Sequence, residues 1–302
     1  MTVIAGIEAH LALHGVCAVS EHPQWSRRLA ELADDKVLVR LLPGIYAVAA
    51  NARETRIRCA ALMLWDPDAV VTGLAAAALT FWPKARVAEV EFHSRRKKRS
   101  YPGFRLHRSQ VPPDQVSEVQ GLRLVSSAWA AVHRAAVDDG VAIDEYLRAS
   151  FGKVAHVAQA LVDFGRRVGN PMRRAVVTDS RSNPWSPRER RLHGLLRRAG
   201  IVDWVANLKV IADGTTHFLD IAFRDCMVAF EYHGVEHHLS SASDVINDHQ
   251  RTARLAAEGW TIVPLTTEAL DDVERLIDLV RRTLDSHRRG LVTGGRRRRS
   301  GG

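Results

Sequence analysis

Cysteine is scarce in this chain of 302 residues: Cys17, Cys59 and Cys226 stand far apart and form no CxxC pair. That argues against a disulfide framework and a cysteine-based zinc centre, and it fits a reducing cytoplasm. Long apolar runs are missing too. The longest apolar region, residues 59–82, is broken by Asp66-Pro67-Asp68, and neither half is long enough to span a bilayer, so no membrane association is expected. The N-terminal MTVIAGIEAH has no basic segment and carries Glu8 inside its apolar stretch, so it does not read as a secretory signal.

Negative charge is in deficit, 34 acidic against 43 basic residues, for a formal net charge of +9. More than half of that excess lies in Arg288, Arg289 and Arg296 to Arg299, so the part before the tail is only mildly basic. The Gly/Arg tail, residues 288–302, reads as disordered. It is either attracted to polyanions through counterion release or a solvated terminus with no specific role. Hydrophobic content of 46% and charged content of 25% are ordinary for folded domains, and the length allows two or three of them.

Residues 1–50 open with a helical pattern (Ile4, Ile7, Leu11, Leu13) and break at His22-Pro23. A second helix, RRLAELADD, follows with Ser26 as its cap, then two β-rich runs around Pro43-Gly44. Helix, helix, hairpin is the order of a winged helix-turn-helix, which would set Arg27 and Arg28 toward DNA and Arg40 on the wing. The alternative is a small helical cap with solvated arginines. In residues 51–178, two helices are expected at 53–65 and 69–81, then a strand pair, 87–93 and 104–107. The loop between that pair carries Arg95, Arg96, Lys97, Lys98 and Arg99. Five consecutive cations are either solvated or face phosphate. A hairpin around Gly121 and helices to Arg167 complete this section, in which no residue reads as catalytic.

In residues 179–287 the pattern is α-β-β-β-α-β-α, an α/β sandwich whose last strand lies beside the one carrying Glu231. FLDIAF ends one apolar run around Asp220, and VAFEY ends the next at Glu231-Tyr232, with a polar turn at Arg224-Asp225. A hairpin there brings Asp220 and Glu231 to one end of a sheet. Two neighbouring carboxylates repel unless a divalent cation neutralises them, so the pair reads as a Mg²⁺ (or Mn²⁺) site for phosphodiester hydrolysis.

Two resemblances follow from these motifs. VLVRLLPGIYAV, the LAAAAL helix and EVEFHSRRKKRSYPGFRLHRS make residues 1–178 similar to AbiEi-type antitoxin-like proteins of type IV toxin–antitoxin systems, which carry a DNA-binding winged helix. Residues 186–284 resemble the DUF559 family, relatives of the very-short-patch-repair endonuclease in the PD-(D/E)XK superfamily. That likeness rests on Glu189 in SPRERRLHGLLRRAG, Asp220 in FLDIAF, Glu231-Tyr232-His233-Gly234 with His237, Asp248-His249-Gln250-Arg251, and Gly259-Trp260. His233 stands where the family has Asp or, in classical members, Lys.

Together they imply a multi-domain α/β (α+β) chain: a winged helix-turn-helix, an α+β middle domain and a restriction-endonuclease-like α/β sandwich. The implied site has Asp220 and Glu231 as metal ligands, with the Tyr232 carbonyl as a further one. Glu189 is an outer ligand, His233 or His237 handles the water or the leaving oxygen, and Asp248 and Arg251 brace the site. His233, His237 and His238 also admit a zinc reading, which lacks a fourth ligand. Two functions stay open: a metal-dependent endonuclease in phage defence or repair, and a DNA-binding, antitoxin-like regulator with an inactive nuclease fold. The regulator would add a cognate toxin or a second copy of the chain as partners.

Overall fold

The computed structural model describes residues 3–95, 99–232 and 242–299. It divides into two compact units, Met1–Val177 and Thr178–Gly302, each mixing helices with sheet.

The first unit begins with α1 (Val3–His14), β1 (Val16–Ala18), a 3-10 turn (Pro23–Trp25), α2 (Ser26–Asp34), β2 (Leu38–Leu42) and β3 (Ile45–Val48). The strands form an antiparallel sheet in the order β1-β3-β2. Ile7 and Leu11 of α1 pack with Cys17, Leu29, Leu38 and Tyr46, whereas Ile4 and Leu13 are exposed. Two of the four residues expected in the core are thus outside it, because Leu13 lies across the helix from Leu11. Ser26 is the first helical residue rather than the cap: the 3-10 turn leads directly into α2, and no side chain caps it.

The unit continues with α3 (Thr55–Trp65), β4 (Val70–Thr72), α4 (Gly73–Thr80), β5 (Val90–His93), β6 (Phe104–His107), β7 (Val116–Val119) and β8 (Leu122–Val125), followed by α5 (Ser127–Arg134), α6 (Val141–Arg148), α7 (Val154–Asp163) and α8 (Asn170–Asp179). Helix α3 packs against β1, β2 and β3, so the divide expected at residue 50 is not a unit boundary. The five strands run in the order β6-β5-β4-β8-β7.

Two expectations fail here. The stretch from Ala69 is not helical from its start: Val70-Val71-Thr72, all β-branched, form β4, and Gly73 at φ +62° turns the chain into α4. Strands β5 and β6 are parallel, not a hairpin, with His93 paired to His107. The basic segment therefore belongs to a crossover connection, and Arg96, Lys97 and Lys98 lie outside the described residues.

The second unit holds α9 (Pro187–Arg198), β9 (Val205–Ala212), β10 (Thr215–Phe223), β11 (Val228–Tyr232), α10 (Ala242–Ala257), β12 (Thr261–Leu265), the short α11 (Thr267–Asp271) and α12 (Val273–Arg299). The sheet order is β12-β11-β10-β9, with β12 parallel to β11 and Pro264 opposite Glu231. Both faces are covered. On one, Leu192, Leu195 and Leu196 of α9 and Leu276, Val280 and Leu284 of α12 pack on Ile221, Phe223 and Phe230. On the other, Leu255 of α10 and Trp260 pack on Leu208, Leu219, Ala222 and Ala229. The tail does not leave the fold as a coil at residue 288: α12 runs on to Arg299. A helix anchored by three buried aliphatics adds one hydrogen bond per further residue, and arginine is a good helix former.

Candidate functional site

Antiparallel pairing of β10 with β11 (Ile221 opposite Phe230) sets Asp220 across from Glu231. The backbone N–H of Tyr232 donates to Oδ2 of Asp220 at 2.9 Å. Strand β10 breaks its own alternation at this point. Leu219 and Ala222 belong to one core, Ile221 and Phe223 to the other, so the strand switches faces beside Asp220. Opposite it on β9, between the pairs Leu219–Leu208 and Ile221–Ala206, stands Asn207 at φ +49°. A local kink of this kind re-aims one side chain out of a regular sheet.

Glu231 is 5% exposed and follows Ala229 on the face covered by α10. Arg251 of α10 grips it with two guanidinium nitrogens, at 2.5 and 2.6 Å, and donates a further bond to the Phe218 carbonyl at 3.0 Å. Asp248, one turn earlier, adds a negative charge that favours the guanidinium. Arg251 is therefore a partly exposed clamp on the buried Glu231, not the outer half of a surface pair with Asp248.

Glu189 enters from α9. Ser186 caps that helix by accepting the Glu189 N–H at 3.1 Å, and Glu189 Oε2 reaches back to the Trp185 N–H at 2.9 Å. This is a capping box shifted by one residue, a structural duty legible in Ser186-Pro187-Arg188-Glu189 that the sequence reading missed. Asn207 Nδ2 also donates to Glu189, at 3.3 Å, and to the Asn183 carbonyl, at 2.7 Å.

Burial, first, and then the charges of Glu189 and Glu231 push the Asp220 carboxyl up to about 7, with the Tyr232 N–H and Arg251 pulling the other way. Three carboxylates thus bear on one another, and Arg251 is clamped on only one. The donor set is all oxygen, which suits a hard divalent cation such as Mg²⁺. Among the described residues, the three carboxylates do not bring one ligand atom each within 4.8 Å of the other two. Mg²⁺ keeps several waters and is commonly held by one or two carboxylates, so it does not require all three to converge.

His233 and His237 lie outside the described residues, as does His238. Tyr232 spends its N–H on Asp220, and Arg188 stands over its ring at 5.2 Å. His217, buried beside Arg251, escaped the sequence reading; burial and the charges of Arg251 and Arg254 hold it below the usual imidazole range. In the first unit, Arg27 and Arg28 both pair with Glu31, and Arg40 is exposed on β2. Arg95 approaches Gln110 at 3.4 Å, and Arg99 stands over the Tyr101 ring at 5.2 Å.

The chain matches no family model, no curated protein and no solved structure. No helix among the described residues is long and apolar enough to cross a membrane.

Proposed function

We propose that the second unit is a Mg²⁺- or Mn²⁺-dependent endonuclease acting on DNA in the cytoplasm. The observation that carries this reading is the Asp220 carboxyl, driven up to about 7 by burial and by Glu189 and Glu231, a charge conflict that a bound divalent cation would relieve. Asp220 and Glu231 would hold the metal, with the Tyr232 carbonyl as a further ligand and Glu189 anchoring a water. The bound cation supplies acidity to a coordinated water and neutralises charge on the attacked phosphate. Asp220 must ionise to take part. Arg251 keeps Glu231 in place and is near enough to meet phosphate once Glu231 turns to a metal. His233 or His237 would position the water or protonate the leaving oxygen.

A second reading is favoured by two observations: the order α1-β1-α2-β2-β3 in residues 3–48, and the occupation of Glu231 by Arg251. Here the chain binds DNA through Arg27, Arg28, Arg40 and the basic segment 95–99 without cutting it, as a regulator partnered by a toxin or by its own copy. Incubation of the full chain with plasmid and single-stranded DNA plus Mg²⁺ or Mn²⁺ separates the two. The nuclease reading expects cleavage that disappears in an Asp220→Asn/Glu231→Gln double variant. Binding without cleavage in either metal, or cleavage that survives the double variant, rejects it.

A further inference from the structure

In the first unit, strands and helix converge on a group of imidazoles, of which His93 is buried and His107 and His133 are partly exposed. Strand β5 contributes Glu91 and His93, the parallel strand β6 contributes His107, and α5 contributes His133. Ligand atoms of Glu91, His107 and His133 all lie within 4.8 Å of one another. His107 Nε2 is 2.9 Å and His133 Nε2 4.0 Å from the same oxygen, Glu91 Oε2. Tetrahedral zinc with bonds of 2.0 to 2.1 Å holds its donor atoms roughly 3.3 Å apart, between those two values. The ring centroids of His107 and His133 are 5.0 Å apart, those of His93 and His107 5.3 Å and those of His93 and His133 6.2 Å, so His93 stands outside the compact group and closes in by about 1 Å to share its ion. Imidazoles sharing one tetrahedral ion would sit roughly 5 Å apart by centroid.

The outer hydrogen bonds have the arrangement such a centre needs. His93 is 4% exposed, and its Nδ1 lies 2.9 Å from the Ser109 carbonyl, which fixes the proton there. Its Nε2 is buried and has no hydrogen-bond partner among the described residues. Thr72 Oγ1 lies 3.2 Å from His133 Nδ1 and leaves Nε2 toward Glu91. Ligating histidines are commonly oriented in this way, with the second nitrogen held by oxygen. Arg134 approaches Glu91 Oε1 at 3.4 Å, leaving Oε2 to face the histidines. Arg173 is turned onto the carbonyls of Val132, His133 and Val168, and Arg167 onto those of Phe164 and Gln110 and onto Ser109 Oγ, which lies 3.3 Å from His93 Nδ1. An open cavity of about 650 Å³, lined by Ser94 and Ser109 among others, reaches His93 but none of the other three groups.

We propose that Glu91, His93, His107 and His133 bind one divalent transition-metal ion, zinc by donor type, fastening β5, β6 and α5 together. Metal entry replaces the hydrogen bond between His107 Nε2 and Glu91 Oε2 by a bond from each to the ion, releases the intervening proton to solvent and supplies the partner that His93 Nε2 lacks. This site is separate from the carboxylate group of the second unit and does not depend on nuclease activity.

The test uses the full chain, freed of metal by chelation and titrated with Zn²⁺ against a chromophoric chelator. One tight equivalent and a rise in melting temperature are expected. Asp220→Asn should keep that equivalent. His107→Gln should lose it, and Thr72→Val should weaken it about tenfold or more. Histidine ¹H–¹⁵N spectra of the unaltered protein read the ligands directly, whether or not the variants fold: Zn²⁺ should shift Nε2 of His93, His107 and His133. Absence of binding at micromolar Zn²⁺ would overturn the proposal. So would shifts confined to other histidines, such as His10 and His22, which with Glu21 make the other compact group among the described residues.

Discussion

Arg251 and Glu231 form a two-pronged ion pair across the face between α10 and β11, with the carboxylate side chain 6% and the guanidinium side chain 26% exposed. A buried carboxylate held this way depends on its partner. Removing the arginine leaves the charge without compensation, whereas a cation that replaces the arginine can restore it.

Arg251→Ala should therefore destabilise the protein by about 3 kcal/mol, in the range for broken buried pairs. If Glu231 is also a metal ligand, Mg²⁺ should raise the melting temperature of the variant more than that of the unaltered chain. Thermal melts with and without Mg²⁺ measure both effects, and an equal response in the two proteins would remove Glu231 from the metal set.

Asp220 gives a pH signature. Its folded value, about 7, lies above the 3.8 of an ordinary aspartate, so the folded state binds more protons between those limits. Stability from this group is present at low pH and is lost as pH rises through about 7. Asp220→Asn abolishes that loss and can still accept the Tyr232 N–H through its side-chain oxygen. The melting-temperature advantage of the variant should be larger at about pH 8 than at about pH 5. A pH-independent difference would mean that burial and the flanking carboxylates do not strain this group.

His193 has the opposite sign. It is fully buried on α9, tilted against Trp204 with ring centroids 4.6 Å apart, and burial holds it at about 3. The folded state resists its protonation, so stability falls as pH drops below 6.5 toward about 3. His193→Leu should flatten the acid side of the stability profile relative to the unaltered chain, as read by melts between about pH 7 and pH 4. His93 and His133 titrate in the same window, so some acid loss should remain in the variant.

The second unit was largely legible because its strands carry continuous apolar runs ended by single charges. FLDIAF and VAFEY each end near the residue that matters, and register follows from the turn between them. The kink at Asp220 and Asn207 was not legible, because nothing in VANLKV marks a residue with positive φ except an asparagine among aliphatics. The histidine group of the first unit was hidden for a topological reason. Glu91, His93, His107 and His133 are spread over three elements, and they meet only because β5 and β6 run parallel in a register that pairs His93 with His107. A hairpin, the simpler expectation for two strands separated by a short basic segment, reverses that direction. The strand at Val70–Thr72 was lost among alanines, which outweigh three β-branched residues in any helical window.

Proline at position 264 has a consequence for how this protein keeps itself apart from its copies. Strand β12 is the outermost of its sheet, and Thr261 turns its N–H inward to the Met227 carbonyl at 2.8 Å. Alternation along the strand then points the nitrogen of Pro264 outward, where it has no hydrogen to offer. An incoming strand would find a gap in the row of donors beside Glu231, and the rim of the sheet is blunted against edge-to-edge aggregation.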